Sequence, residues 1–331
     1  MNGAMGKALL AAILGTALAA QAPAPLVVGI LFTDGILLPF AAFDGRAWTA
    51  WWPEPGSGNQ PVVLPSSPTL DRVPRAWLGG LSRVPRVWYA RQANGAQRTI
   101  RAQGLTRIRL VLADGVAIST RPDADSESVR ELFHEDQQGV AISVARSIAQ
   151  VRDVTADPQP CRKLLDESTR DTRAAADAAL LDLDTSPTSL ALGDAVRRAP
   201  SPGASVDLEI ESCFAGPPRS DGSAVYYVAA SHRYPVTPAS LDTGDALLEI
   251  DGWVDSRPRA DGRRLLNGRF RASIRSTYSV TTGSVEPIAV LPFGTLQYWV
   301  VADHLEDGIE YAIYEVTPTH ARRVQMMTPA R

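Results

Sequence analysis

Metal chemistry is the first chemistry that the residue types suggest. His134-Glu135-Asp136 and His304-Leu305-Glu306-Asp307 are two similar clusters, and their imidazole and carboxylate groups are donors that zinc and manganese take. Simpler roles suit the same residues. A histidine at a helix C-terminus complements the dipole, and the second cluster falls where a hairpin turn is expected. The cap and turn reading is preferred, and no metal is assigned. Neither His-Glu-x-x-His nor an EF-hand loop occurs, which removes the motifs of the common exported metalloprotease and calcium sites.

Glu209 and Glu211 stand two apart, on one face if they lie in a strand. Glycosidases hold two carboxyl groups roughly 5 to 9.5 Å apart, and this pair satisfies the distance. Almost any polar strand face does so too, and Arg271 and Arg275 offer charge partners, so a solvated, charge-paired face is the expectation. Serine hydrolase chemistry lacks its Gly-x-Ser-x-Gly turn and has only four histidines to draw on. Neither a Gly-x-Gly-x-x-Gly nor a Gly-x-x-x-x-Gly-Lys loop is present, so nucleotide and dinucleotide enzymes are set aside and no cofactor is expected. No catalytic residue is identified.

Tryptophan offers a better case for binding. Trp48 and Trp52 share a parity that places them on one strand face, with Trp51 opposite. Trp77 and Trp88 close an eleven-residue repeat, Arg72-Val-Pro-Arg-Ala-Trp77 and Arg83-Val-Pro-Arg-Val-Trp88, a period too short for a solenoid unit. Exposed indoles hold sugar rings or cations, and arginine stacks on them. Trp48, Trp52, Trp77 and Trp88 are therefore the candidate ligand-binding residues, with packing at the rim of a β core as the competing role.

The remaining reactive residues are Cys161 and Cys213. Their fate depends on compartment, and the first 22 residues speak to that. Lys7, an apolar run from Ala8 to about Leu18, and Ala19, Ala20 and Ala22 follow the order of a cleavable secretory signal. Pro23 and Pro25 interrupt the apolar run before it reaches the roughly 20 residues of a membrane span, so no integral span is expected after cleavage. An exported chain with an even cysteine count is expected to pair them, and 52 residues of separation give a loop contributing about 4 kcal/mol in the chain-entropy model. A periplasmic or extracellular location follows. Of 33 basic residues only Lys7 and Lys163 are lysine, a composition suggesting a GC-rich bacterial genome. The formal charge of -3 is too weak and mixed to suggest nucleic acid as a partner.

Short alternating runs punctuated by Asp-Gly and Asn-Gly read as strands and turns. Leu26 to Phe32, Ile36 to Phe43 and Arg46 to Trp52 form a meander joined at Asp34-Gly35 and Asp44-Gly45. Val87 to Arg91 and Gln97 to Ala102 flank Asn94-Gly95, and Thr106 to Leu112 pairs with Val116 to Thr120 across Asp114-Gly115. In the middle, Ser126 to Asp136 has helical spacing and Arg162 to Leu183 reads as a helix or solvated linker. Ala199 to Ala204 marks an internal boundary. Beyond it come strands at Val206 to Ser212, Ala224 to Ala230, Ala246 to Val254, Phe270 to Tyr278, Pro287 to Leu291, Leu296 to Ala302, Ile309 to Val316 and Ala321 to Met326, with Asp307-Gly308 as one turn.

The expected fold is mainly β, a β-rich α+β chain of antiparallel meanders forming a sandwich or open barrel, with one or two helices in the middle. Its sections are a signal at 1–22, an N-terminal β section at 23–123, a helical or linker section at 124–200 and an antiparallel β section at 201–331. The functional expectation is an exported, non-catalytic binding or scaffolding protein with a glycan or protein ligand. The alternative is an exported glycosidase or metal-dependent hydrolase whose residues converge only in the fold.

Overall fold

A computed structural model describes residues 25–327 apart from 33, 54–55, 58–68, 79–80, 92–96, 111–112, 123–137, 199–207, 237–243, 259, 261, 263, 278–283 and 306–307. The signal segment, the Ser126 to Asp136 helix, His134-Glu135-Asp136, Asn94-Gly95, the Ala199 to Ala204 boundary and Asp307 lie outside these residues.

Strands β1 (Leu26–Leu31), β2 (Ile36–Phe43) and β3 (Trp48–Ala50) form the expected antiparallel meander. Each Asp-Gly pair makes its turn for a visible reason. Asp34 Oδ1 accepts the Ile36 N–H at 3.1 Å, Asp44 Oδ1 accepts those of Arg46 and Ala47 at 2.7 and 2.8 Å, and Gly35 and Gly45 take φ of 83° and 102°. β5 (Val87–Arg91), β6 (Gln97–Leu110), β7 (Ala113–Pro122) and β8 (Gly139–Ile142) join the first two in the order β2-β1-β8-β5-β6-β7, and β7 pairs back onto β2. Six strands thus close a barrel, and β4 (Gly56–Ser57) pairs with β7. Asp114-Gly115 is not the β6–β7 turn: Leu110 pairs with Ala113, and Asp114 and Gly115 sit inside β7 opposite Arg109 and Ile108. The longer ladder satisfies more backbone groups than a turn at that Asp-Gly would.

Two further antiparallel sheets follow. The first runs β10 (Arg152–Asp153), β11 (Glu209–Ala215), β12 (Val225–Tyr234), β13 (Ala246–Asp255) and β14 (Leu265–Ser276). The second, central sheet runs β18 (Ala321–Met327), β17 (Gly308–Val316), β16 (Leu296–Leu305), β15 (Ser284–Phe293) and β9 (Ala149–Gln150). The described residues of the middle section hold three helices, α1 (Gln159–Asp166), α2 (Thr169–Leu181) and α3 (Pro187–Arg197), where one or two were expected. Ser186-Pro187 reads locally as a break, yet the Ser186 hydroxyl accepts the Ser189 N–H at 3.2 Å and the proline occupies the first turn, so the pair starts α3.

The layers follow from which faces are apolar. Leu164, Leu165, Leu192 and Val196 of the helices bury against Val228, Ala230, Leu248 and Ile250 of the first sheet. Its other face places Tyr227 and Trp253 against Val290, Trp299, Val301 and Tyr314 of the central sheet, with the rings of Trp253 and Tyr314 4.6 Å apart. The intervening residues Leu291, Tyr298, Val300 and Ile313 turn to the barrel. Burial on both faces explains why Tyr298-Trp-Val-Val301 and Tyr311-Ala-Ile-Tyr314 are continuously apolar instead of alternating.

Cys161 and Cys213 form a disulfide that staples α1 to β11. A bulge makes this pairing geometrically available. Glu209 and Ile210 pair with Ser231 and Ala230, Ser212 pairs with Ala229, and Glu211 is the extra residue between them. Without it, strict alternation would put Cys213 on the acidic face with Glu209 and Glu211; with it, Cys213 lies on the helix-covered face.

Candidate functional site

Trp48, Trp51, Trp52, Trp77 and Trp88 pack with the barrel core. β3 ends at Ala50 and Trp52 adopts φ 89°, so the parity that would have put Trp51 opposite Trp52 is lost and the two indoles stack at 5.0 Å. Trp51 donates its indole N–H to the Leu78 carbonyl at 2.7 Å, Trp52 to that of Val116, and Trp88 to that of Pro85 at 3.0 Å. Trp52 and Trp88 are buried, 6% and 0% exposed, and have no open ring face for a sugar. Trp48 is half-buried between Phe43 and Tyr298, each 5.1 Å away, and Trp77 is half-buried 5.7 Å from Trp52. The Arg-Val-Pro-Arg-x-Trp repeat is a packing device: Val73 and Val84 are buried, the first copy ends in a short 3-10 turn at Arg75–Leu78, and the second leads into β5. Of the four candidate indoles, Trp52 and Trp88 are core residues, where a large ring with one donor is well satisfied, while Trp48 and Trp77 keep partly exposed rings.

A different surface has the shape of a site. The first sheet's inner face is apolar at Val225, Tyr227 and Trp253 and charged at Glu211, Glu249 and Asp251. Where the apolar contact with the central sheet ends, a cleft of about 440 Å³ opens between the two. Glu211 and Ser212, both turned inward by the bulge, line it with Phe214, and Ser284, Glu286 and His304 form the opposite wall. Ser284 and His304 are directly opposed on β15 and β16.

Each carboxylate has a protein partner. Asp251 accepts the Tyr227 hydroxyl at 2.9 Å, Glu211 accepts that of Ser231, and Glu249 holds the Arg275 guanidinium at 2.6 and 2.7 Å. The Glu249 bond raises the Arg275 pKa against the opposing effect of burial. His304 Nε2 lies 3.0 Å from Glu286, whose hydrogen bond raises the imidazole pKa above its ordinary value. Glu209 is exposed and Glu211 alone of that pair lines the cleft. The pairing expected between Glu209/Glu211 and Arg271/Arg275 is not made between adjacent strands, because β12 and β13 separate β11 from β14, but the Glu211 charge still acts across the cleft face on Arg275 and helps raise its pKa. Arg275 turns to Glu249 on neighbouring β13, and Arg271 is in register with Asp251.

Among the described residues no group of three or more His, Cys, Asp and Glu could hold a metal ion, and His304 faces Glu286. A second cavity of about 490 Å³ lies where the barrel and the two sheets meet, with Arg91, Gln138 and Arg152 on its wall. It shares Phe214 and Glu286 with the cleft. Nothing in the local sequence joins these residues; the one available signal was the alternation of Glu209 and Glu211 with apolar neighbours, which announced a charged sheet face but not what faces it. No helix among the described residues is long and apolar enough to cross a membrane. The chain matches no protein-family model, no curated protein and no solved structure.

Proposed function

We propose that this is an exported, non-catalytic binding protein whose cleft receives an amine-bearing peptide ligand. The observation that carries the reading is the concentration of Glu211, Asp251 and Glu286 on facing walls of one cleft, with Arg275 occupied by Glu249. Carboxylates gathered on facing walls favour a ligand ammonium group through charge-assisted hydrogen bonds, and the half-buried ring of Phe214 beside them adds cation–π attraction. Burial of Trp52 and Trp88 leaves only Trp48 and Trp77 of the four indoles as partly exposed stacking surface, which favours a peptide over a glycan ligand. The buried Cys161–Cys213 bond and the leader pattern of residues 1–22 support an oxidising, extracytoplasmic location.

Calorimetric titration of the mature protein with alanine peptides of two to five residues, free or N-acetylated, tests the reading. Acetylation removes the ammonium charge, and the loss of one charge-assisted bond corresponds to about tenfold or more in affinity. Glu211→Gln and Asp251→Asn preserve shape and weaken only the free-amine peptides. Equal binding of free and acetylated peptides, or binding of neutral glycans in their place, would refute it.

The His304–Glu286 pair favours a second reading, an exported hydrolase in which the glutamate orients a basic imidazole beside Ser284. Turnover in a broad esterase, glycosidase and peptidase screen that disappears in Glu286→Gln would establish it over the binding role.

A further inference from the structure

The junction cavity offers the opposite chemistry to the cleft. Arg91, at the end of β5, donates one guanidinium N–H to the Ile148 carbonyl, and its Nε has no acceptor among the described residues. Arg152 reaches the same cavity from an exposed position on β10. Gln138 uses its amide oxygen to accept the Tyr311 hydroxyl at 2.8 Å, so what its amide has left to offer is the NH₂ donor. Two carboxylates share this wall: Asp153 accepts the Thr155 N–H at 2.8 Å and Glu286 meets His304 at 3.0 Å. The two guanidinium groups and the Gln138 NH₂ are donors, the complement of a carboxylate. A bulge between Pro287 and Ala289 releases Ile288 from the β15 ladder along this wall, a distortion that gathers beside binding sites. The cavity and the cleft adjoin at Phe214 and Glu286, which line both.

We infer that the cleft and the junction cavity form one groove for a short peptide with both termini free, its α-carboxylate seated on Arg91, Arg152 and the Gln138 amide. The inference rests on the amine-binding reading of the cleft and adds the other pole of the ligand. Its recognition is dipolar: carboxylates of Glu211 and Asp251 at one end, guanidinium groups at the other.

The test uses the same alanine peptides, now free or C-terminally amidated, titrated against the mature wild type and the variants Arg91→Gln and Arg152→Gln. In the wild type, amidation weakens binding by about tenfold or more, the equivalent of one charge-assisted bond. Arg152→Gln reduces that penalty and Arg91→Gln abolishes it. Arg91→Gln also gives up the bond to Ile148, so its fold is checked by circular dichroism, and exposed Arg152 provides a variant that leaves packing untouched. If amidation has no effect in the wild type while acetylation still does, the cleft reading survives and the carboxylate site is overturned. An amidation penalty unchanged in Arg152→Gln and in a folded Arg91→Gln overturns it as well. Failure of every peptide to bind the wild type overturns both.

Discussion

Replacing both half-cystines by alanine removes the staple between α1 and β11, and the size of the effect can be worked from the structure. The two residues are 52 apart in sequence, and a loop of that length restricts the unfolded chain by about 4 kcal/mol at 25 °C in the entropic model. Both side chains are fully buried, so the cavity left by two sulfur atoms adds to the loss. Cys161→Ala/Cys213→Ala avoids the free thiol of either single variant. The helices lie in the core cluster that contains the bond, whereas Trp51, Trp52, Trp88, Trp253 and Trp299 lie in the other two. Guanidinium unfolding followed at 222 nm by circular dichroism therefore reports on the stapled layer, and tryptophan fluorescence on the rest. The expected result is a helical transition destabilised by about 4 kcal/mol, preceding the fluorescence transition. A loss below about 0.5 kcal/mol, within the spread of an ordinary surface substitution, would refute the idea that the bond secures the helices on the sheet.

Gly216→Ala would place a Cβ 2.6 Å from Trp299 Cζ2 and 3.1 Å from the Val225 carbonyl, and overpacking of this kind costs about 1 to 3 kcal/mol, read as a lower denaturation midpoint. Asp255, 1% exposed, holds Arg219 through two bonds of 2.8 and 2.9 Å; Asp255→Ala strands the guanidinium and costs about 3 to 5 kcal/mol by chemical unfolding. Because Glu286 raises the His304 pKa, the stabilisation from their pair is full below the unfolded-state value and fades as pH rises through the folded one. An NMR titration should show the imidazole pKa fall back toward 6.5 in Glu286→Gln, and cationic peptides should bind the wild type more tightly above that transition than below it. An unchanged imidazole pKa in the variant would contradict the pair.

Much of the secondary structure was legible because its signals are local. Asp34-Gly35 and Asp44-Gly45 supply both the side-chain acceptor and the positive φ that their turns need, and the final four strands are bounded by short connections. The cysteine pairing was legible from number and compartment. Long-range geometry was not. Closure of β7 onto β2 depends on strands separated by most of the N-terminal section, and nothing in Ile36 or Ser119 alone announces it. The bulge at Glu211 shifts parity by one residue, which sends Cys213 to the helices and Ser212 to the cleft. Trp52 escapes the alternation rule through a single positive φ. The cleft draws on β11, β12, β13, β14, β15 and β16, so Glu211 and His304 stood out in sequence only beside their local neighbours, while Asp251 and Glu286 carried no local signal.

We propose the acidic cleft, not the tryptophan cluster, as the place where the protein binds its ligand. The most direct measurement is amide chemical-shift mapping of the mature protein titrated with free-terminus alanine peptides. Saturable shifts at Glu211–Phe214, Asp251, Ser284–Glu286 and His304, absent with the N-acetylated peptides, are predicted. Shifts confined to Trp48 and Trp77, or none at the cleft at saturating peptide, would contradict the account.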